Sequence, residues 1–224
     1  MHLALKKMNK LIAISLGLVF LIACTGQNRE NKGIDIKGYY FPYNKFTTQK
    51  TYCYVNMNDT LEKSYWMMQT KIEGKDTSFC TTILNAKKQK SEDLNEKVSD
   101  HGTNIQKYNL FKPEDNRLAA ECKIIESSVF NWIMNQGESI AWKVEFEQFD
   151  SKQKIMMTKD RTFINLDTTK NIAYFIDKMS MVIEGTGQKI EYQVETQYKK
   201  NIGLINYKII LTNGKIKVFN LIEE

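Results

Sequence analysis

Alternation of apolar and polar side chains dominates the chain beyond residue 38. In residues 140–147 and 189–198, every second side chain is mainly apolar or aromatic and the intervening ones are mainly polar. This period of two is typical of a half-buried antiparallel strand. Residues 52–55, 64–72 and 77–84 are rich in the aromatic and β-branched side chains that favour strands. The pattern therefore predicts a mainly β protein.

Turn-forming residues separate these strands. Asn213-Gly214 favours a two-residue type I′ turn and predicts a hairpin between residues 204–212 and 215–221. Further turns are predicted at 58–60, 73–76, 136–137, 150–152 and 185–187. Strands joined by such local turns form an antiparallel meander. We expect a half-barrel or a sandwich-like curved sheet, with at most one or two short helices.

Two regions interrupt the alternation. Residues 86–104 are highly polar, which predicts a long exposed loop with one helical turn. Residues 115–134 place apolar side chains at helical spacing, although Ile124-Ile125 and Val129-Phe130 favour β structure. A helix, or a helix followed by a strand, is favoured there.

The first 23 residues have the pattern of a targeting signal. Lys6, Lys7 and Lys10 precede an apolar run over residues 11–23. As a helix this run would span about 20 Å, whereas a bilayer core of about 30 Å needs roughly 20 apolar residues. The segment is therefore predicted to be a signal peptide, with Met8 as an alternative start.

The apolar run ends in Leu21-Ile22-Ala23-Cys24, which resembles the lipobox of bacterial lipoproteins. The resemblance implies that a signal peptidase recognises Leu21, Ile22 and Ala23, and that Cys24 becomes the first residue and carries a covalent lipid. Stable anchoring needs more than one acyl chain, since each buried CH₂ contributes about 0.8 kcal/mol. Thr25, rather than aspartate, follows the cysteine, which by the same resemblance points to the outer membrane of a Gram-negative cell envelope.

The rest of the chain divides into a tether and a folded part. Residues 24–37 are polar apart from Ile34 and Ile36, and they predict a lipid-bearing flexible tether. Alternatively, these two isoleucines begin the first strand. Residues 38–224 then form a single β-rich domain.

Charge and motifs exclude several function classes. Loss of residues 1–23 removes three lysines and no acid, so the formal net charge falls from +6 to +3. The basic residues Lys87, Lys88 and Lys90 lack interleaved aromatics, so no nucleic-acid partner is expected. The chain has no phosphate-loop, dinucleotide, zinc-protease or nucleophile-elbow motif. We therefore expect no enzyme, no catalytic residue, no metal and no cofactor besides the lipid on Cys24.

Histidine and cysteine offer few candidates for chemistry. His101 has Ser99 and Asp100 beside it, but adjacent side chains point apart and do not make a triad, so it is interpreted as a loop histidine. Cys122 could pair with His101 as a thiolate, but a buried apolar role is favoured. Cys53 and Cys80 fall on next-but-one strands, about 10 Å apart, too far for a disulfide.

Carboxylates and aromatic clusters complete the candidates. The carboxylates at 73 and 76, 92 and 93, and 114 and 115 lie in predicted turns or loops and are interpreted as solvated surface. Aromatic and methionine residues are dense at 39–43, 65–68 and 156–157. Most are expected in the core, although the concave side of a curved sheet could also receive an apolar ligand.

The closing stretch, residues 198–207, resembles secreted bacterial β-proteins in which a Gly-Leu-Ile turn leads into a last hairpin. Some of these resemble the half-barrel of periplasmic lipoprotein carriers. Gly203 is expected to supply a positive φ or a bulge at the strand entry.

Three functions follow from these observations. The first is a membrane-anchored cell-envelope lipoprotein acting as a non-enzymatic binding module for an envelope protein or for an apolar or glycan ligand. The second is a carrier or receiver of an apolar ligand, lipid or lipoprotein, which needs a cavity of about 300 Å³ or more. The third is an envelope hydrolase, which needs several titratable groups facing one cleft.

Overall fold

The computed structural model of the protein describes residues 33–112 and 114–222, and these ranges are almost entirely β. The signal peptide, Leu21, Ile22, Ala23 and Cys24 lie outside them. Two single-turn 3-10 helices, Lys37–Tyr39 and Tyr43–Lys45, are the only helices in the described ranges. The strands are β1 (Ile34–Asp35), β2 (Lys50–Asn56), β3 (Asp59–Glu73), β4 (Asp76–Leu84), β5 (Lys90–Val98), β6 (Gly102–Lys112), β7 (Arg117–Glu121), β8 (Lys123–Asn131), β9 (Ile133–Met134), β10 (Ser139–Glu147), β11 (Lys154–Asp167), β12 (Ile172–Ile183), β13 (Lys189–Lys199), β14 (Gly203–Leu211) and β15 (Ile216–Ile222).

Twelve of these strands close into a barrel. They follow the order β5-β4-β3-β2-β15-β14-β13-β12-β11-β10-β8-β6, and β6 pairs back with β5. The mainly β prediction is confirmed, but the sheet is more closed than the expected half-barrel or sandwich. Closure pairs the sheet edges that an open sheet would expose. No described helix has the length and apolar character needed to cross a membrane.

The expected exposed loop over 86–104 is wrong, because β5 and the start of β6 occupy it. Their pairing runs from Glu92 opposite Leu110 to Val98 opposite Thr103, and it closes the barrel. Two of the inward positions of β5 are occupied by Glu92 and Glu96. Apolar residues therefore do not alternate with polar ones along this strand. A strand with charges on its inner face has no hydrophobic period for sequence analysis to detect.

The favoured helix over 115–134 is also wrong. This region forms β7, β8 and β9. β8 pairs with β10 through Ile124 opposite Val144 and Ser127 opposite Trp142. Tertiary pairing with a strongly alternating strand thus prevails over the helical spacing of the apolar residues.

The last hairpin is confirmed, but its turn differs from the expected type I′. β14 and β15 pair from Asn206 opposite Asn220 to Ile210 opposite Ile216. The amide of Leu211 donates to the carbonyl of Lys215, which closes a three-residue loop. Within that loop Gly214 has φ +79°, whereas Asn213 has no positive φ. This is the geometry of a three-residue hairpin with a left-handed glycine.

An N-terminal segment, residues 36–46, packs inside the barrel; we call it the plug. Its side chains Ile36, Tyr39, Tyr40, Phe41 and Phe46 are all at most 5% exposed. The ring of Tyr40 packs against Phe79 of β4 and against Phe130 of β8, at 5.8 and 5.0 Å between centroids. These strands lie on different walls, so the plug fills one end of the interior.

A second apolar cluster lies toward the opposite end of β10 and β11. It contains Val144 and Phe146 of β10, Ile155 and Met157 of β11, and Tyr108 of β6. Ile34 belongs to β1, which pairs with β9, as one of the two alternatives for the isoleucines predicted. Ile36 follows that strand and is buried in the plug.

Gly203 is required by the contact between the plug and β14. It has φ +98°, as the sequence predicted, and a Cβ there would lie 2.5 Å from Cδ1 of Phe41. Gly74 also has a positive φ, +63°, but nothing lies within 4 Å of its added Cβ. A side chain at Gly74 would therefore introduce backbone strain alone, whereas one at Gly203 would introduce backbone strain and overpacking together.

We predict that Gly203→Ala lowers the free energy of unfolding by about 2–4 kcal/mol, from backbone strain and overpacking together. Gly74→Ala, the control, loses only about 1 kcal/mol from backbone strain. Urea denaturation of both variants measures the difference. Equal losses would show that Phe41 does not press on Gly203.

Candidate functional site

A cavity of about 350 Å³ lies inside the barrel. The plug residues Tyr40 and Phe41 line it, together with inward side chains of β3–β6, β8 and β10–β14. Its surface combines aromatic and aliphatic side chains with five charged ones, which are Glu92, Glu96, Lys159, Arg161 and Asp177. A concave surface that combines apolar side chains with a few polar groups is characteristic of ligand sites.

A buried ion cluster forms the most polar part of the cavity wall. Arg161 of β11 donates from Nε and Nη2 to the two carboxylate oxygens of Asp177 on β12, both at 2.8 Å. Lys159 lies two residues before Arg161 on the same face, and its Nζ is 2.8 Å from Oδ2 of Asp177. Arg161 and Asp177 stand opposite each other in the β11–β12 register, which allows the two-pronged contact.

Electrostatics hold this cluster charged. Burial alone would raise the pKa of Asp177, but the charges of Arg161 and Lys159 lower it to about 2. Burial and the Arg161 charge lower the pKa of Lys159 from its usual value, despite the attraction of Asp177. The guanidinium of Arg161 also packs 5.3 Å from the ring centroid of Tyr198. Aromatic contact and ion pairing together offset its loss of water.

Two glutamates of β5 carry the remaining carboxylates of the cavity. Tyr40 donates its hydroxyl to Glu96 at 2.8 Å, and Tyr108 donates to Glu92 at 2.7 Å. Burial raises the pKa of both carboxyls, although the phenol hydrogen bonds act in the opposite direction. Glu96 is 3% exposed, whereas Glu92 is half-buried.

Thr196 of β13 supplies a polar group without a protein partner. Thr196 is 4% exposed and lines the cavity. Its hydroxyl oxygen has no hydrogen-bond partner among the described residues. A buried hydroxyl without a partner is costly, so a bound molecule could satisfy it.

The expected surface location of the carboxylates is wrong for Glu92, which lines the cavity. Its neighbour Asp93 faces outward, where it accepts a hydrogen bond from Thr82 and pairs with Lys90. The carboxylates at 73, 76, 114 and 115 are exposed, as expected.

His101 and Cys122 do not form a reactive pair. His101 is exposed in the turn between β5 and β6. Cys122 packs against the second apolar cluster, and burial together with the charge of Glu92 raises its pKa to about 12. Its sulfur therefore stays a protonated thiol, which agrees with the favoured apolar role.

The cysteine geometry follows the predicted meander. Cys53 lies opposite Tyr65 on β3, and Cys80 lies opposite Gln69 on the same strand. β3 thus separates the two cysteines, and Cys80 is a free thiol. No disulfide joins them.

The aromatic and methionine clusters divide between the core, the cavity and the outer surface. Tyr40 and Phe41 belong to the core and also line the cavity. Trp66 and Met157 line it as well. Met156, which alternates with Met157, is 37% exposed. The core interpretation therefore holds for the buried members of these clusters, and the ligand-surface interpretation stays a prediction.

Sequence analysis missed Glu96, Lys159, Arg161 and Asp177. A signal for the last three exists in the alternation itself. Lys159 and Arg161 continue the inward positions of Ile155 and Met157. Asp177 likewise falls between Phe175 and Met179 on the inner face of β12. Charges in apolar register on neighbouring strands indicate a buried ion cluster.

No protein-family model and no curated protein matches the chain. Two crystal structures share its fold. One is a protein of Bacteroides fragilis NCTC 9343 described as exported and having a YMCC-like fold. It has a TM-score of 0.51 and 12% identity, over 81% of this chain and 96% of the other. The second is a protein of Parabacteroides distasonis ATCC 8503 described as a lipoprotein. It has a TM-score of 0.50 and 10% identity, over 83% and 97%.

We predict that Asp177→Asn lowers the free energy of unfolding by about 3–5 kcal/mol, because it leaves Arg161 and Lys159 buried without their counter-ion. The folded-state pKa of Asp177 is about 2, below its unfolded value of about 3.9. Its contribution is therefore complete above about pH 4 and lost as the pH falls through about 2.

Urea denaturation at neutral pH and at acid pH measures this. The control is Asp160→Asn, which removes an exposed carboxylate from the outer face of β11. A similar small loss in both variants would contradict a stabilising role for the cluster.

Proposed function

We propose that the protein is a lipid-anchored binding module of the bacterial cell envelope, and that it takes a small, partly apolar ligand into the barrel cavity. The cavity is the observation that carries this proposal. Its volume of about 350 Å³ falls within the range of small-molecule sites, about 300–1,000 Å³.

The composition of the cavity wall supports ligand binding. Trp66 and Tyr207 are half-buried on the inner face and pack against each other at 6.2 Å between centroids. Aliphatic side chains, among them Leu94 and Ile209, complete the apolar surface. Thr196 and the charged side chains offer a few oriented polar groups, which would fix a ligand in one orientation.

The carrier alternative rests on the same cavity. A carrier needs an interior that its own side chains do not fill, and this barrel has a cavity of about 350 Å³. A covalent lipid on Cys24 would hold the protein at a membrane, which suits a receiver of ligand more than a shuttle.

The hydrolase alternative rests on the titratable groups that face the cavity. Glu92 and Glu96 are four residues apart on one strand, so their Cα atoms are separated by about 13 Å. The carboxyl groups of a retaining glycosidase lie about 5–5.5 Å apart. Asp177 is held by two cations, which leaves it poorly suited to act as a base. We therefore favour binding over catalysis.

The cell-envelope assignment rests on the lipobox resemblance and on the fold. Both crystal structures that share the fold come from proteins described as an exported protein or a lipoprotein. The outer membrane is the membrane we propose, because Thr25 rather than aspartate follows Cys24.

Filling the cavity tests the binding function. We expect the neutral apolar fluorophore N-phenyl-1-naphthylamine to bind the wild-type protein with enhanced emission, and Met179→Trp to lose this binding because indole occupies the space. Val182→Trp is the control, since Val182 lies on β12 as well but is 37% exposed.

Thermal unfolding of both variants checks that they fold, and Ile209→Trp provides a second cavity-filling variant. Equal binding by the wild-type protein and by folded cavity-filling variants would place the fluorophore outside the barrel and refute the proposal.

The anchor is tested by Cys24→Ala. We expect the variant to lack the lipid mass and to leave the detergent phase in a Triton X-114 partition, because its acyl chains supply the membrane affinity. Cys80→Ala is a matched control that removes a thiol from the barrel. Membrane partition of Cys24→Ala equal to that of the control would refute lipid anchoring.

A further inference from the structure

We propose that the ligand of the cavity is a small organic cation with an apolar body, and that Glu92 receives its positive charge. This inference rests on the proposed binding function and adds the chemical class of the ligand. Its basis is a charge imbalance inside the barrel, in a cavity that is lined by aromatic side chains.

The charges that line the cavity do not cancel. Two cations, Lys159 and Arg161, face three carboxylates, Glu92, Glu96 and Asp177. Both cations contact Asp177, and both also act on Glu96 through space. When all five groups are ionised, one negative charge is left over. A monocationic ligand would balance it, whereas an anionic ligand would double it.

Glu92 is the carboxylate that a ligand can reach. Its hydrogen bond comes from the neutral phenol of Tyr108, and among the described residues no lysine, arginine or histidine forms an ion pair with it. Glu96 also has neutral donors, but it is 3% exposed and is covered by Tyr40. Glu92 is half-buried and lines the open space.

Aromatic side chains line the same cavity as this carboxylate. Tyr108, which bonds to Glu92, packs edge-on against Trp142 at 5.8 Å between centroids. Trp66 stands in the same cross-strand row, because it pairs with Ile83 and Ile83 pairs with Glu92. The pKa of Tyr192 is raised mainly by burial and additionally by the negative charge of Glu92. A carboxylate and aromatic rings in one cavity suit an ammonium group, because both attract a cation.

The rest of the cavity suits the remainder of such a ligand. Leu94 lies two residues beyond Glu92 on the same face of β5, and Met179 lines the cavity from β12. These side chains would contact an alkyl or aryl body. The buried hydroxyl of Thr196, without a partner among the described residues, would accept or donate one hydrogen bond to a polar substituent.

Lys159 presents the competing chemistry, because an exposed ammonium would favour an anion. Its side chain is 21% exposed, but its Nζ lies 2.8 Å from Oδ2 of Asp177. The ammonium of Lys159 is therefore paired with Asp177, whereas the carboxylate of Glu92 has no ion pair among the described residues and feels Lys159 only through space. An anionic probe belongs in the test for this reason.

Three probes with the same six-carbon chain separate the alternatives. Hexyltrimethylammonium, hexan-1-ol and hexanoate are each titrated against bound N-phenyl-1-naphthylamine, and displacement gives their dissociation constants. We expect the cation to bind at least about tenfold more tightly than the alcohol or the acid, a difference of about 1.4 kcal/mol.

Two variants of β5 locate the charge. We expect Glu92→Gln to weaken binding of the cation by about tenfold and to leave hexan-1-ol unchanged. Asp93→Asn is the matched control, because it removes one negative charge from the outer face at the adjacent residue. Thermal unfolding confirms that each variant is folded.

The outcomes distinguish this inference from the function on which it rests. Displacement by hexanoate or hexan-1-ol at least as strong as by the cation would overturn the cation assignment and leave the binding function intact. Equal cation affinity in Glu92→Gln and Asp93→Asn would likewise overturn the role of Glu92. Failure of the fluorophore and of all three probes to bind the wild-type protein would refute both.

Discussion

Pairing of β5 with β6 is the constraint on which the rest of the structure depends. Without this ladder, which runs from Glu92 opposite Leu110 to Val98 opposite Thr103, the twelve strands would form an open curved sheet with two unpaired edges. With it, the inner face becomes an enclosed volume. Side chains on that face must then satisfy one another, because bulk water no longer does so. The plug, the ion cluster and the cavity are three consequences of this closure.

A twelve-stranded barrel encloses more volume than its inward side chains fill, since about eight strands already leave room only for side chains or one small ligand. The plug takes up one end through Tyr40 and Phe41, whose rings contact inward aromatics of several strands. The remaining space is the cavity. Because Tyr40 also donates to Glu96, the plug joins the apolar core to the polar wall of the cavity, and both ends of that contact are buried.

The alternation of apolar residues was sufficient to predict β10, β13 and the last hairpin, since residues such as Val144 and Phe146 face the core in register. It failed where inward positions carry charge. Because Glu92 and Glu96 occupy inward positions, the sequence of β5 lacks a continuous apolar face and was interpreted as an exposed loop. The alternation places Asp177 on the inner face of β12, but its counter-ion Arg161, sixteen residues away, is identified only once the two strands are paired. Closure itself was beyond prediction, because one of the two strands that close the barrel, β5, lies in the region assigned to an exposed loop.

The charged wall argues for function more than for stability. A buried ion pair is often no more stabilising than apolar side chains of the same size. Burial also raises the pKa of Glu92 and Glu96, because it disfavours their charged forms. A barrel selected only to be stable would gain by replacing them. Their convergence on one cavity therefore requires a reason other than folding, and a ligand that balances the charge of Glu92 supplies one.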